Sequence, residues 1–470
     1  MTKLKILNNC AASRGNYFNS GNGVQIQPID IGHKEYIGLI SADTAFWSLV
    51  KKNQLSQALT NPSYLREYRK KEKSFIDEMN TLRFGLKPSA VYFNPTDHCN
   101  LNCSYCYIPE NLRKNGKHMS VEKISKALET LKIYFNSTLP KHQKPQIVFH
   151  GAEPLLNKKA IFCVMDKFEK HFRFGIQTNG TLLDDEAIKF LTSREISIGL
   201  SLDGHNAIVA DRLRKTWNGQ GIFQKVVEAI KRLRHYKNYS VICTVTNENM
   251  QSLTKIVEFL HELEVPICML NPVRCTLPGA RQNKPVDYQL SKYYLEALDC
   301  TYKLYKKTGR RLVVANFANV LMSIIAPTGR RLMCDISPCG GGRCFFAVSS
   351  NGDLFPCSEF IGLKKFKGGN IFKDDIKKVL KSESFKLVTD RCIENIDPCS
   401  RCAIRHFCGS PCPAEAYEMN GSLKKPGAFC ELYEEQVRYA FRLIADGKED
   451  AYFWDNWDKE FSTTLEITKL

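Results

Sequence analysis

No stretch of this sequence stays apolar long enough to cross a bilayer. The most apolar run, Val313 to Ala326, is interrupted by Asn316 and Asn319 and falls short of the roughly 20 residues a membrane helix needs. Met1 to Gly15 carries Lys3 and Lys5 but no apolar core of the kind a secretory signal has. Internal repeats and low-complexity tracts are also missing. Together these absences predict a cytoplasmic protein with no membrane partner, in a compartment where thiols stay reduced. Composition excludes wholesale disorder, since 43% hydrophobic and 25% charged residues are ordinary globular values. The 470 residues allow two to four domains, and the net charge of +18 by itself suits nucleic acid, an anionic surface or an acidic partner. Nucleic acid is not expected as a partner.

Against these absences stand 19 cysteines. An odd count in a long chain expected to be cytoplasmic argues against a disulfide scaffold and for metal.

Strand-like and helix-like segments alternate between residues 89 and 275. Short β-branched runs occur at Ala90–Phe93, Ile147–His150, Phe174–Thr178, Ile196–Leu202, Ser240–Val245 and Ile267–Asn271. Between them lie helical periodicities such as Val121, Ile124, Leu128, Leu131 and Phe135, or Val226, Val227, Ile230 and Leu233. Six strands alternating with helices predict an α/β fold with a parallel sheet, whose substrates bind at the carboxyl ends of the strands. Residues 1–88 read as an α+β extension: a hairpin (Val24–Ile29, Tyr36–Ile40), then helical segments carrying Lys51, Lys52, Arg66, Arg69, Lys70, Lys71 and Lys73. That basic set is either a solvated helical face or a docking surface for an acidic peptide. Residues 276–333 read as a helical bridge, 334–430 as loops wrapped on metal, and 431–470 as a closing helix and tail.

The first cysteine constellation is Cys99, Cys103 and Cys106, just after the first strand. Three thiolates at these spacings can hold one side of an iron–sulfur cube. No fourth cysteine is near, so one iron is left open, as a catalytic metal requires. Zinc or a plain electron-transfer cluster is the alternative, and each normally takes four ligands.

The run Asn94 to Tyr107, with Tyr105 before the third cysteine, resembles the radical S-adenosylmethionine (radical SAM) enzymes. That family places CxxxCxxC after strand one of a partial (β/α)6 TIM-like barrel. His150-Gly151-Ala152-Glu153-Pro154 resembles the family's Gly-Gly-Glu-Pro segment, which binds the methionine amino group. Ala152 replaces the second glycine, at little cost if φ is negative there. Thr178 and Asn179 after strand three, Ser201 and Asp203 after strand four, and Arg214 match further cofactor-binding positions. Arg214 would pair with the methionine carboxylate, with Arg212 as a nearby decoy. The resemblance implies S-adenosyl-L-methionine cleaved by a reduced 4Fe–4S cluster to a 5′-deoxyadenosyl radical. It also implies a low-potential electron donor such as flavodoxin or ferredoxin, since such clusters reach roughly −700 mV.

The second constellation is Cys339, Cys344, Cys357, Cys399, Cys402, Cys408, Cys412 and Cys430. Asn351-Gly352-Asp353, a hairpin signal, precedes Cys357. This pattern resembles the SPASM extension of radical enzymes that modify peptides and proteins. By that resemblance Cys339, Cys344, Cys357 and Cys412 hold one auxiliary cluster, and Cys399, Cys402, Cys408 and Cys430 a second. Two zinc sites are the alternative, and Cys334 is a rival for Cys339 or Cys344. With the first cluster this makes three 4Fe–4S clusters. Eight cysteines remain: Cys10, Cys163, Cys243, Cys268, Cys275, Cys300, Cys334 and Cys392. Cys163, Cys243 and Cys268 fall in core-like patterns, and Cys275 lies near the expected barrel mouth, where a catalytic thiol would sit.

Among radical enzymes the short strings around Asn94-Pro95-Thr96 and Cys106–Pro109 look closest to maturases of the quinohemoprotein amine dehydrogenase type. These form thioether cross-links in a peptide or small protein. Anaerobic sulfatase-maturing enzymes, which make formylglycine, usually carry an Asp base after the Cys357 equivalent. Here Ser358 follows, then Glu359, the candidate catalytic group. An electron carrier that uses the barrel only as scaffold is the remaining alternative.

Overall fold

The computed structural model describes residues 18–19, 25–410 and 412–460; Cys10, and Val24 of the expected hairpin, lie outside them. The chain opens with β1 (Phe18–Asn19), β2 (Gln25–Ile29), β3 (Tyr36–Ser41) and β4 (Trp47–Lys51), paired antiparallel in that order. Helix α1 (Pro62–Asn80) follows. Asn61 Oδ1 caps it by accepting from the Ser63 and Tyr64 amides, and Pro62 sits in the first turn, where a missing N–H costs nothing. Leu65, Tyr68, Phe75 and Met79 form its buried stripe, while Arg66, Arg69, Lys70 and Lys73 are exposed. The helical part of the basic run lies on the solvent face of an amphipathic helix, as both a solvated face and a docking surface require, while Lys51 and Lys52 lie before it, at and just after the end of β4.

This extension shares the main core. Trp47 Nε1 donates to Ile324 O at 2.8 Å, and its ring meets Phe441 edge-on at 5.2 Å. Arg343 Nη1 donates to Leu82 O at 2.9 Å. Deleting residues 1–80 would uncover core, which weighs against a detachable docking module.

The alternating segments then build β5 (Ala90–Phe93), α2 (Val121–Asn136), β6 (Gln146–Phe149), α3 (Lys158–Phe168), β7 (Arg173–Thr178), α4 (Asp185–Ser193), β8 (Ser197–Ser201), α5 (Phe223–Arg232), β9 (Tyr239–Val245), α6 (Leu253–Glu262) and β10 (Ile267–Pro272). The six strands are parallel neighbours in chain order. One face of the strands is buried and the other only half-buried: along β9, Tyr239, Val241, Cys243 and Val245 are buried, while Ser240, Ile242 and Thr244 between them are half-buried.

Helix α7 (Asp287–Thr308), strand β11 (Val313–Val314) and helix α8 (Ala315–Ile325) follow, then β12 (Phe345–Val348), β13 (Asp353–Phe355), β14 (Gly369–Asn370), α9 (Pro413–Asn420) and α10 (Cys430–Asp446). Two short strands extend the parallel sheet at its edges: β11 on β10, and β12 on β5. β13 and β14 add antiparallel, giving an open ten-stranded sheet whose β5–β10 part is the TIM-like unit. The expected hairpin forms between β12 and β13, with Gly352 at φ 87°. The apolar run Val313–Ala326 becomes the buried α8. Its two asparagines are fully used: Asn316 bonds the Leu270 amide and carbonyl at 3.1 and 2.8 Å, and Asn319 accepts from the Arg331 and Leu332 amides at 2.8 Å. Among the described residues no helix is long and apolar enough to cross a membrane.

Candidate active site

The loop after β5 is held by backbone bonds to two residues the sequence did not flag. Arg113 accepts at its carbonyl from Cys99 N (2.9 Å), and its guanidinium donates to the carbonyls of Ile108 (2.9 Å) and Leu101 (3.2 Å). Trp217 Nε1 donates to Cys99 O at 2.8 Å. This staple presents Cys99, Cys103 and Cys106 to one side of a cavity of about 400 Å³ at the carboxyl ends of the strands. Burial pushes the Cys99 thiol up to about 12 and the Cys103 thiol up to about 11. Such thiols ionise only against a strong cationic centre.

The donor set fits a four-iron cluster with one iron left for a ligand. Among the described residues no three His, Cys, Asp or Glu side chains converge to hold a single ion; thiolates on different corners of a cluster have no need to.

The cofactor-binding positions gather on the same side. Tyr105, Gly151, Ala152, Thr178, Asn179, Ser201 and Arg214 line the cavity. Gly151 has φ 76°, and a Cβ there would lie 2.2 Å from Asn94 Nδ2. Ala152 has φ 42°, so the expectation of negative φ is corrected: the alanine sits in the left-handed region, where a Cβ meets the following carbonyl oxygen. Glu153 is fully buried behind the wall. Its carboxylate accepts from Leu155 N (2.9 Å), Thr178 Oγ1 (2.8 Å) and Asn179 N (2.7 Å), leaving acceptor capacity on Oε2.

Asp203 is also fully buried and turned to its neighbours. It accepts from the Tyr105 hydroxyl, Arg214 Nε (2.7 Å) and Thr244 N (2.8 Å). Asp203 therefore positions Tyr105 and Arg214. Arg214 Nη1 lies 4.0 Å from Cys103 Sγ, tying the arginine to the cysteine loop as well. Arg212 is exposed and faces Glu248 at 3.5 Å.

The opposite wall comes from the C-terminal segment. Cys334, Cys339, Cys357 and Cys412 line the cavity, as does Glu359; Cys344 does not. Glu359 Oε2 is buried and accepts no hydrogen bond among the described residues. Burial raises this carboxyl to about 6, with Arg274 opposing the shift and Glu415 adding to it. Two further wall residues were given no role in the sequence reading. Arg274, two residues past β10, faces Glu359 and Cys412. His150 stacks on Tyr107 at 6.4 Å and meets Tyr92 edge-on at 5.4 Å, with Nδ1 buried and unpartnered among the described residues. A lone histidine before a glycine loop carries no local signal of such placement.

Cys399, Cys402, Cys408 and Cys430 form a separate group, with the buried Cys408 thiol raised among the other three. Arg391 lies between the two cysteine sets, its guanidinium spent on the carbonyls of Leu423 (2.8 Å), Ser410 (3.1 Å) and Lys425 (3.0 Å). Of the remaining cysteines, Cys243 and Cys268 are core, but Cys163 is exposed on α3, because its position falls off that helix's buried stripe. Cys275 is fully buried and does not reach the cavity.

The Radical SAM superfamily matches residues 93–260, and the SPASM iron-sulfur cluster-binding domain matches residues 339–403. An uncharacterized protein of Archaeoglobus fulgidus is 36% identical over 422 residues, 90% of this chain and 95% of that one. A cysteine-type anaerobic sulfatase-maturating enzyme of Clostridium perfringens is 25% identical over 379 residues, 76% of this chain and 98% of that one. The fold is similar to that of native anSMEcpe with bound AdoMet, at TM-score 0.67 and 22% identity over 77% of this chain and 100% of that one. It is also similar to Streptococcus suis SuiB bound to precursor peptide SuiA, at TM-score 0.57 and 15% identity over 81% and 87%. The finer resemblance to maturases of the quinohemoprotein amine dehydrogenase type is not supported by these matches. With cysteine loop, cofactor wall and cysteine-rich second wall around one cavity, the chain belongs to the radical SAM superfamily and carries a SPASM domain.

Proposed function

We propose that this protein is a maturase that oxidises a cysteine or serine side chain of a protein or peptide, in the manner of the anaerobic sulfatase-maturating relatives. The observation that carries the reading is the single cavity with the Cys99–Cys106 loop on one wall and Glu359 beside Cys357 on the other. Similarity to sulfatase-maturating enzymes over three quarters of the chain supports it. Bound at Cys99, Cys103 and Cys106, a reduced cluster with S-adenosylmethionine supplies a radical able to take a hydrogen atom from a substrate carbon.

The chain's own residues do the rest. Gly151, Ala152, Glu153, Thr178, Asn179 and Ser201 shape the cofactor wall, and the Asp203–Arg214 pair fixes a cation beside it. On the opposite wall Glu359 stands where it can take the proton that leaves an oxidised side chain, and its buried carboxyl is tuned for that exchange. Arg274 keeps a positive charge facing that carboxylate. Two sets of four thiolates in the SPASM segment would hold two auxiliary clusters, three clusters in all, and a flavodoxin or ferredoxin would supply the electron.

The test is mass spectrometry of a peptide with a sulfatase-type cysteine, incubated anaerobically with reconstituted protein, reductant and S-adenosylmethionine. Loss of sulfur with a hydrazine-trappable aldehyde is expected, and Glu359→Gln should slow it by about a hundredfold or more. Retained sulfur with loss of two hydrogens would instead identify a thioether former. Cofactor cleavage with no change in any cysteine or serine peptide would end the reading.

A further inference from the structure

Five cysteines compete for the four-thiolate site on the cavity wall: Cys334, Cys339, Cys344, Cys357 and Cys412. Sequence spacing does not choose among them, because Cys334 and Cys344 stand equally far from Cys339. The fold does choose.

Cys334, Cys339, Cys357 and Cys412 all line the cavity, and Cys344 does not. Cys334 is exposed although it lies deep in the molecule. The two facts agree if its exposure is to the cavity itself, the space a cluster would fill. Cys344 is only 8% exposed.

The local structure around β12 agrees. Side chains alternate across a strand. On β12 Phe345 faces the cavity, while Phe346 turns to the other face and packs against Tyr134 at 6.1 Å. Cys344 lies in the turn just before β12, buried and off the cavity. Cys357 follows β13, which runs antiparallel to β12, and ends beside the cavity turn: a Cβ built on Gly341 would lie 3.4 Å from Cys357 Cβ.

Mutual proximity gives the same grouping. Cys334 is within electrostatic reach of Cys339 and Cys412, and Cys357 is within reach of Cys334 and Cys339. Cys344 is within reach of Cys339 alone.

We infer that Cys334 joins Cys339, Cys357 and Cys412 as the four thiolates of the auxiliary site facing the cavity, and that Cys344 stays outside it. This deepens the proposed function, resting on its assignment of an auxiliary cluster to that wall. It does not depend on which side chain is oxidised.

The test compares Cys334→Ala and Cys344→Ala in the full chain, reconstituted anaerobically, by iron and sulfide content and by electron paramagnetic resonance of the reduced protein. No peptide is needed, so failure of the substrate reading leaves the result standing. Cys344→Ala is expected to keep wild-type iron, about twelve atoms for three cubes, and Cys334→Ala to lose about four. Should Cys334→Ala not fold, Cys334→Ser is the second variant: a shifted resonance from one cluster supports the assignment, and an unchanged spectrum overturns it. Loss of iron in Cys344→Ala, or full iron and an unchanged spectrum in Cys334→Ala, overturns it too.

Discussion

Replacing Arg214 with methionine keeps most of the side-chain volume and removes the cation that Asp203 was built to meet. Asp203 is fully buried, and three donors reach its carboxylate: Arg214 Nε at 2.7 Å, Thr244 N at 2.8 Å and the Tyr105 hydroxyl. Breaking a buried pair by removing one partner costs about 3–5 kcal/mol, chiefly because the other charge stays buried. The two surviving donors soften that loss, so the low end, about 3 kcal/mol, is expected for Arg214→Met. Asp203→Asn should cost a similar amount by leaving Arg214 beside Cys103 without its counter-charge. The double variant removes both charges, so its cost should fall short of the sum by about 1–3 kcal/mol. Denaturant unfolding of the reduced, metal-free chain measures the cycle, followed by the fluorescence of Trp47, Trp217, Trp454 and Trp457 together. S-adenosylmethionine binding to the reconstituted variants should weaken in parallel. If Arg214→Met unfolds within about 0.5 kcal/mol of wild type while cofactor binding collapses, the arginine acts on cofactor alone and the positioning argument for Asp203 is wrong.

Ala152→Gly should stabilise the chain by about 0.5–1 kcal/mol: relief of the left-handed alanine returns about 1–2 kcal/mol, and the glycine's extra unfolded-state freedom takes back about 0.5–1. Gly151→Ala should instead destabilise and impair cofactor binding, since its Cβ collides with Asn94, and paired melting curves separate the two. His150 is held neutral by burial, which lowers it from 6.5 to about 4. The unfolded chain binds that proton more tightly, so His150 lowers stability in acid and the deficit disappears as pH rises from about 4 to 6.5, up to about 3 kcal/mol in all. Unfolding of wild type and His150→Gln at pH 4.5 and pH 7 should show the difference only at the lower pH.

The six barrel strands were legible because short, apolar, β-branched runs alternate with helical periodicities along the chain. β11 and β12 were not. A two-residue strand has no period, and Phe345–Val348 owes its parallel partner to Ala90–Phe93, far away in sequence. Cys99, Cys103 and Cys106 were legible as a set, since their spacings are local, whereas Cys412 joins Cys357 on the cavity wall from far along the chain. Which of Cys334 and Cys344 faces the cavity depends on how the loop ahead of β12 folds, which spacing does not carry. Ala152 taught a similar lesson: residue type only biases φ, and its positive value here was not readable from an alanine. The basic residues of α1 were visible as charge, while the packing of Trp47 against α8 and α10, which makes that region core, was not.

The bond between β5 and β12 also sets a timetable. Ala90 pairs with Phe345, a separation of 345 − 90 = 255 residues. Until β12 has left the ribosome, β5 is the raw edge of the sheet, an apolar strand with open N–H and C=O groups of the kind that recruits foreign strands. At about 5–20 residues per second that exposure lasts roughly 13–50 s of synthesis. Truncated chains that stop before residue 345 should therefore aggregate through β5, and chaperone dependence should fall once residue 348 is made.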